Sequence, residues 1–181
     1  MEADKGMILS ENGRWVQIAF NKLSSIVSNV VVSVNPSQRN EYGQHFEKNT
    51  MVDDDTSLSV KGPLHGLLSV HIQYPHEDLL VLACDMVAMN HEALLLLIER
   101  YKQHHNRGCY VFSATSGLQP LVGVYTASLM KKIWQQAHEG SLSRFSMKHI
   151  LDISDVDLIT VPEEWEVNFV NYNYKEDIDF Q

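Results

Sequence analysis

The sequence predicts a single-domain α/β fold: a mostly parallel, twisted sheet with helices packed against it. Three observations predict it. The length, 181 residues, suits one domain, and all of 1–181 is expected to form it. Apolar runs rich in β-branched residues recur along the chain, as fully buried strands do. Segments with helical apolar spacing lie between many of them, and strand–helix alternation is the mark of βαβ units.

The elements follow in order. A helical pattern covers 15–26, with apolar residues at 15, 16, 18, 19, 20, 23 and 26. Val30 to Val34 reads as a strand, and 50–52 as a weaker one. Pro63 to Ile72 is the second helix, with Pro63 in its first turn, where a lost N–H costs little. Leu79 to Cys84 is the strongest strand, six residues without a charge. Asn90 is a candidate N-cap for a helix over 91–103. Segments 110–112 and 121–125 read as strands, and 127–136 and 144–151 as helices. Short closing strands are expected over 158–161 and 168–170.

Composition narrows the function. The 14 Lys and Arg against 23 Asp and Glu give a net charge of −9, a poor match for a nucleic-acid binder, which needs a basic face. No run approaches the roughly 18 apolar residues of a membrane span. Met1 to Ser10 lacks the basic-then-apolar order of a secretory leader. Cys84 and Cys109 make no disulfide framework, so a reducing, cytoplasmic setting is expected.

In a parallel sheet, ligands bind beyond the carboxyl ends of the strands. Asn35 follows the first strong strand, Asp53-Asp54-Asp55 the weak one, Asp85 the central one, and Asn171 and Asn173 the last. A lone carboxylate ending a buried strand suits Mg²⁺, which shares its ligands with water and phosphates. Asp is also a common turn residue, so Asp85 alone leaves both readings open. Gly62 and Gly66 would let backbone or ligand approach closely, or would simply serve a turn and tight helix packing. The nine histidines have no zinc-ligand spacing, and no G-x-S-x-G elbow occurs. Cys84, inside a buried strand, reads as a core residue.

Taken in order, these segments resemble the molybdenum cofactor guanylyltransferases, the MobA-like nucleotidyltransferases. Gly62-Pro63-Leu64-His65-Gly66 is similar to the family's G-P-L-A-G, and Leu82-Ala83-Cys84-Asp85-Met86 to its C-D-M/T-P strand end. Gln119 to Tyr125 is similar to Q-P-L-x-x-x-Y, and Phe169 to Asn173 to the closing F-x-N-x-N. The resemblance implies a Rossmann-like nucleotidyltransferase that moves GMP from GTP to molybdopterin, with Mg²⁺ as cofactor and pyrophosphate released. It implies that Asp85 holds the metal and, with Lys5, forms the catalytic pair. Lys5, Asn35, Asp55, Gly62, Gly66 and Asp85 would contact the nucleotide, with Asp53 and Asp54 leaving the register at Asp55 open by a position or two. Asn171 and Asn173 would face the molybdopterin. Transient contact with molybdoenzymes or cofactor-synthesis proteins is implied as well.

The start departs from the family. Met1-Glu2-Ala3-Asp4-Lys5 matches only the tail of L-A-G-G-x-S-x-R-M-G-x-x-K. The first strand, the glycines that wrap phosphates and the Arg have no counterpart. The expectation is a chain begun downstream of its natural start and inactive in this length. The alternative is a relative that uses the cofactor cleft without turnover. Among enzymes, a cytidylyltransferase or a sugar-phosphate nucleotidyltransferase is the other reading.

Overall fold

The computed structural model describes residues 4–104 and 106–172. The described chain opens on a 3-10 turn, Lys5–Met7, capped by the Asp4 carboxylate, which accepts from the Gly6 N–H. A small hairpin, β1 (Leu9–Ser10) and β2 (Gly13–Arg14), leads into α1 (Trp15–Ser24). Its buried positions, Trp15, Val16, Ala19 and Leu23, share one helical face. β3 (Val32–Val34), the short α2 (Arg39–Tyr42) and β4 (Met51–Asp53) come next, and β3 and β4 pair in parallel. α3 (Pro63–Gln73) begins after Gly62, whose φ of 69° favours glycine.

β5 (Leu79–Leu82) is followed by α4 (His91–Gln103), which spans the expected residues. Asn90 caps it by accepting from the Ala93 N–H. Then come β6 (Cys109–Ala114), β7 (Gly117–Tyr125), α5 (Ala127–His138), α6 (Met147–Asp152) and β8 (Val156–Thr160). A 3-10 segment, Glu163–Phe169, lies near the end of the described chain.

The main sheet has the order β5-β7-β6-β8. β6 and β8 are parallel, but β7 runs antiparallel to both of its neighbours. The α/β domain is thus as expected, while the sheet is mixed rather than mostly parallel. The connection explains it. β6 and β7 are joined by a tight turn that ends on Gly117 at φ 117°, and a parallel crossover needs a dozen residues or more. The expected strand at 168–170 does not form. Phe169 instead ends the 3-10 segment, its ring 4.8 Å from that of Phe112.

Helices cover both faces of this sheet, because alternate strand residues point to opposite sides. Tyr110 and Phe112 pack with Leu23 of α1 and with Leu94 and Leu97 of α4. Cys109 and Val111 pack with Leu64 and Leu68 of α3 and Met130 and Ile133 of α5. The β3–β4 pair forms a sheet of its own, with a separate core of Val16, Val32, Val34, Tyr42 and Met51.

Candidate functional site

The carboxyl ends of β3 and β5 meet at the start of the described chain. Asp85 follows β5, and the Lys5 ammonium lies 3.1 Å from its Oδ2. The 3-10 turn fixes Lys5, and two other elements fix the Asp85 segment. The Tyr172 N–H donates to the Asp85 carbonyl at 3.1 Å, which sets the exposed Asn171 beside it in the chain. From α1, Lys22 donates to the carbonyls of Val87 and of Met89, the latter at 2.7 Å. Burial lowers the Lys22 pKa.

Asp4 is the hub on the β3 side. Its Oδ1 accepts from the Tyr42 hydroxyl at 2.9 Å and its Oδ2 from Gln38 Nε2 at 2.7 Å. Burial and the Asp4 carboxylate push the Tyr42 pKa up. Neither Asp4 nor Tyr42 is among the site residues expected from the sequence; the signal for Asp4 is its place beside Lys5 in the Met1–Lys5 stretch. Asn35 joins this network through its backbone, whose N–H donates to Gln38 Oε1. Its side-chain oxygen caps the turn ahead, accepting from the Ser37 and Gln38 N–H groups.

The three aspartates after β4 point different ways. Asp53 pairs with Arg39 at 3.4 Å. Asp54 faces the seam between β3 and α3, with Ser33 Oγ at 3.5 Å and His65 Nδ1 at 3.8 Å. Burial raises its pKa. Asp55 accepts from the Ser57 N–H and hydroxyl, bonds that hold its carboxyl below the usual range. His65 Nε2 lies 2.8 Å from the Asp55 carbonyl. Gly66 lies close against β3: a Cβ there would come within 2.5 Å of Ser33 Oγ. Gly62 has open space around it.

Lys5 and Asp85 are therefore brought into contact, and Asn171 is next to a residue bonded to Asp85. Asn35 and Asp55 use their side chains in local turns. Asn173 lies outside the described residues. Burial and the neighbouring Asp85 push the Cys84 thiol up to about 12, which disfavours its thiolate. Among the described residues no group of three His, Cys, Asp or Glu side chains could hold a metal by protein ligands alone. One carboxylate with room for phosphate oxygens and water still suits Mg²⁺. No described helix is long and apolar enough to cross a membrane.

The model of the MobA-like NTP transferase domain family matches residues 1–153. Among solved structures, the chain is similar to molybdopterin-guanine dinucleotide biosynthesis protein A from Archaeoglobus fulgidus. The TM-score is 0.75 at 15% identity, covering 97% of this chain and 87% of that one. It is also similar to 4-diphosphocytidyl-2C-methyl-D-erythritol synthase from Anaerococcus prevotii, with a TM-score of 0.68 at 8% identity, covering 98% and 90%. A Mycobacterium tuberculosis protein solved in complex with manganese matches with a TM-score of 0.57 at 7% identity, covering 87% and 81%. At these identities the likeness is one of fold.

Proposed function

The chain belongs to the MobA-like NTP transferase domain family, and from that premise we propose that it is built to transfer GMP from GTP to molybdopterin. The observation that carries the reading is the contact of Lys5 with Asp85, 3.1 Å, at the carboxyl end of β5. There a cation and a metal-competent carboxylate stand together where an α/β sheet binds ligands.

In this reaction a terminal phosphate oxygen of the pterin forms a bond to the α-phosphorus of GTP. The bond from that phosphorus to the bridging oxygen breaks, and pyrophosphate leaves with the electron pair. Such chemistry needs positioning and charge neutralisation more than proton transfer. Asp85 would hold Mg²⁺, which lends positive charge to the phosphates when bound. Lys5 would neutralise phosphate oxygens from the other side. Gly62, with open space about it, and Gly66 would border the nucleoside, alongside Asn35 and Asp55. Asn171 and Asn173 would contact the pterin, and the cytoplasm is the expected compartment.

The base is tested by thermal-shift titration with GTP, CTP and UTP, each with Mg²⁺. GTP is expected to stabilise the protein most. Stabilisation by CTP alone would reject the guanine assignment in favour of a cytidylyltransferase.

A further inference from the structure

The stretch 85–89, just after β5, has no proline and no regular structure, so hydrogen bonds must set its path. Each of its five carbonyls accepts one. The Asp85 carbonyl accepts from the Tyr172 N–H at 3.1 Å, and that of Met86 from the Met89 N–H at 3.1 Å. The Ala88 carbonyl accepts from Asn168 Nδ2 at 2.8 Å. Asn168 is held in turn by Asn90, the N-cap of α4, at 3.3 Å. The carbonyls of Val87 and Met89 both accept from a single group, the Lys22 ammonium, the latter at 2.7 Å.

Apolar contacts seat this loop without fixing its shape. Met86 and Met89 are buried in the same core as Leu23 of α1. Methionine is unbranched and adapts to the space it finds, so two of them set the depth of the loop and little else. A cation that bridges two carbonyls is more demanding. Charge-assisted bonds are shorter and stronger than neutral ones, and two from one nitrogen fix how far apart their acceptors lie. The bonds of Lys22 go to backbone oxygens rather than to a carboxylate, and burial lowers its pKa. A side chain that gives up hydration to hold backbone is placed to shape that backbone. Tyr172 at the Asp85 carbonyl and Lys22 at that of Val87 bracket the residues whose dihedral angles aim the Asp85 side chain.

We propose that Lys22 is a positioning residue for Asp85: by clamping the carbonyls of Val87 and Met89 it holds that carboxylate ready for Mg²⁺. The inference rests on Asp85 as the metal-holding group of the proposed transferase.

Two variants test it. Lys22→Met removes the donors and keeps an unbranched side chain, while Lys22→Arg keeps charge and donors. Calorimetric titration of GTP at a series of Mg²⁺ concentrations, and in EDTA, gives the Mg²⁺ midpoint and the metal-free affinity. Amide hydrogen exchange is read at 86 and 89, with β6 and β7 as the reference for folding. Lys22→Met is expected to raise the Mg²⁺ midpoint about tenfold or more, as losing a group that orients a metal ligand does, and to speed exchange at 86 and 89. Metal-free GTP affinity and protection in β6 and β7 should stay at the wild-type level, which separates positioning from general support of the fold. Lys22→Arg should return the midpoint to within about twofold of wild type, since a guanidinium fork can donate to two oxygens. An unchanged midpoint in Lys22→Met, beside a wild type that binds GTP with Mg²⁺, would overturn the positioning role alone. So would equal losses in the two variants, or lost protection in β6 and β7. A wild type whose GTP binding ignores Mg²⁺ would overturn the functional reading, and this inference with it.

Discussion

The two sheets of this protein differ in how they are held. The four-stranded sheet is covered on both faces, and Tyr110, Phe112, Leu94, Leu97, Met130 and Ile133 are all but inaccessible there. The β3–β4 pair has three residues in each strand, and its small core draws on residues from the 3-10 turn, α1 and α2. Between the two lies an apolar cavity. The main sheet can thus carry the stability of the domain, while the β3–β4 side carries much of the candidate site. Uneven stability of this kind is usual where a ligand must be admitted.

Truncation in the main sheet is expected to have the largest effect. Phe112→Ala removes a fully buried ring that packs on Phe169, and should cost about 3–5 kcal/mol by urea unfolding. A loss below 1 kcal/mol would mean that this sheet does not dominate the fold. Gly66→Ala probes the seam. The added methyl would press on Ser33 Oγ and turn it away from Asp54, with an expected loss of about 1 kcal/mol. A neutral result would show that the seam yields without cost. Tyr42→Phe removes the hydroxyl that donates to Asp4 and should cost about 1 kcal/mol. Hydrogen exchange should locate its effect in the amino-terminal part, with β6 and β7 unchanged; equal loosening of both sheets would erase the distinction drawn above.

The smallest effect is one of pH. Asp54 is raised in the fold by burial, so the native state binds its proton more readily than the unfolded state does. Stability from this group therefore falls as pH rises from the ordinary value of 3.8 through the raised one, and the penalty persists above it. Asp54→Asn should remove that slope and leave the protein slightly more stable at pH 7. Unfolding curves across this range check it, and an unchanged slope would assign the pH dependence to other groups.

Much of the fold is legible in the sequence because its signals are local. The helix over 91–103 is bounded by an Asn that caps it, and α3 by a Gly-Pro pair at its start. Strand direction is not local. A buried strand is apolar on both faces whether its neighbour is parallel or antiparallel, so β7 carries no mark of its sense beyond the short turn before it. The site divides in the same way. Asp85 stands out as a polar residue ending an apolar run, yet its partner is 80 residues away and no spacing rule connects them. Three adjacent aspartates look alike in sequence. Only the folded seam shows that Asp54 faces Ser33 and His65 while Asp55 closes a turn on Ser57. Asp4 and Tyr42 are 38 residues apart, and nothing in either segment announces the bond between them.

Calorimetric titration of GTP into the wild-type chain and into Asp85→Asn, each with and without Mg²⁺, tests the central claim most directly. The carboxyl-end site predicts Mg²⁺-dependent GTP binding to the wild type and a loss of about a hundredfold or more in Asp85→Asn. Equal, Mg²⁺-independent binding by both proteins would contradict it.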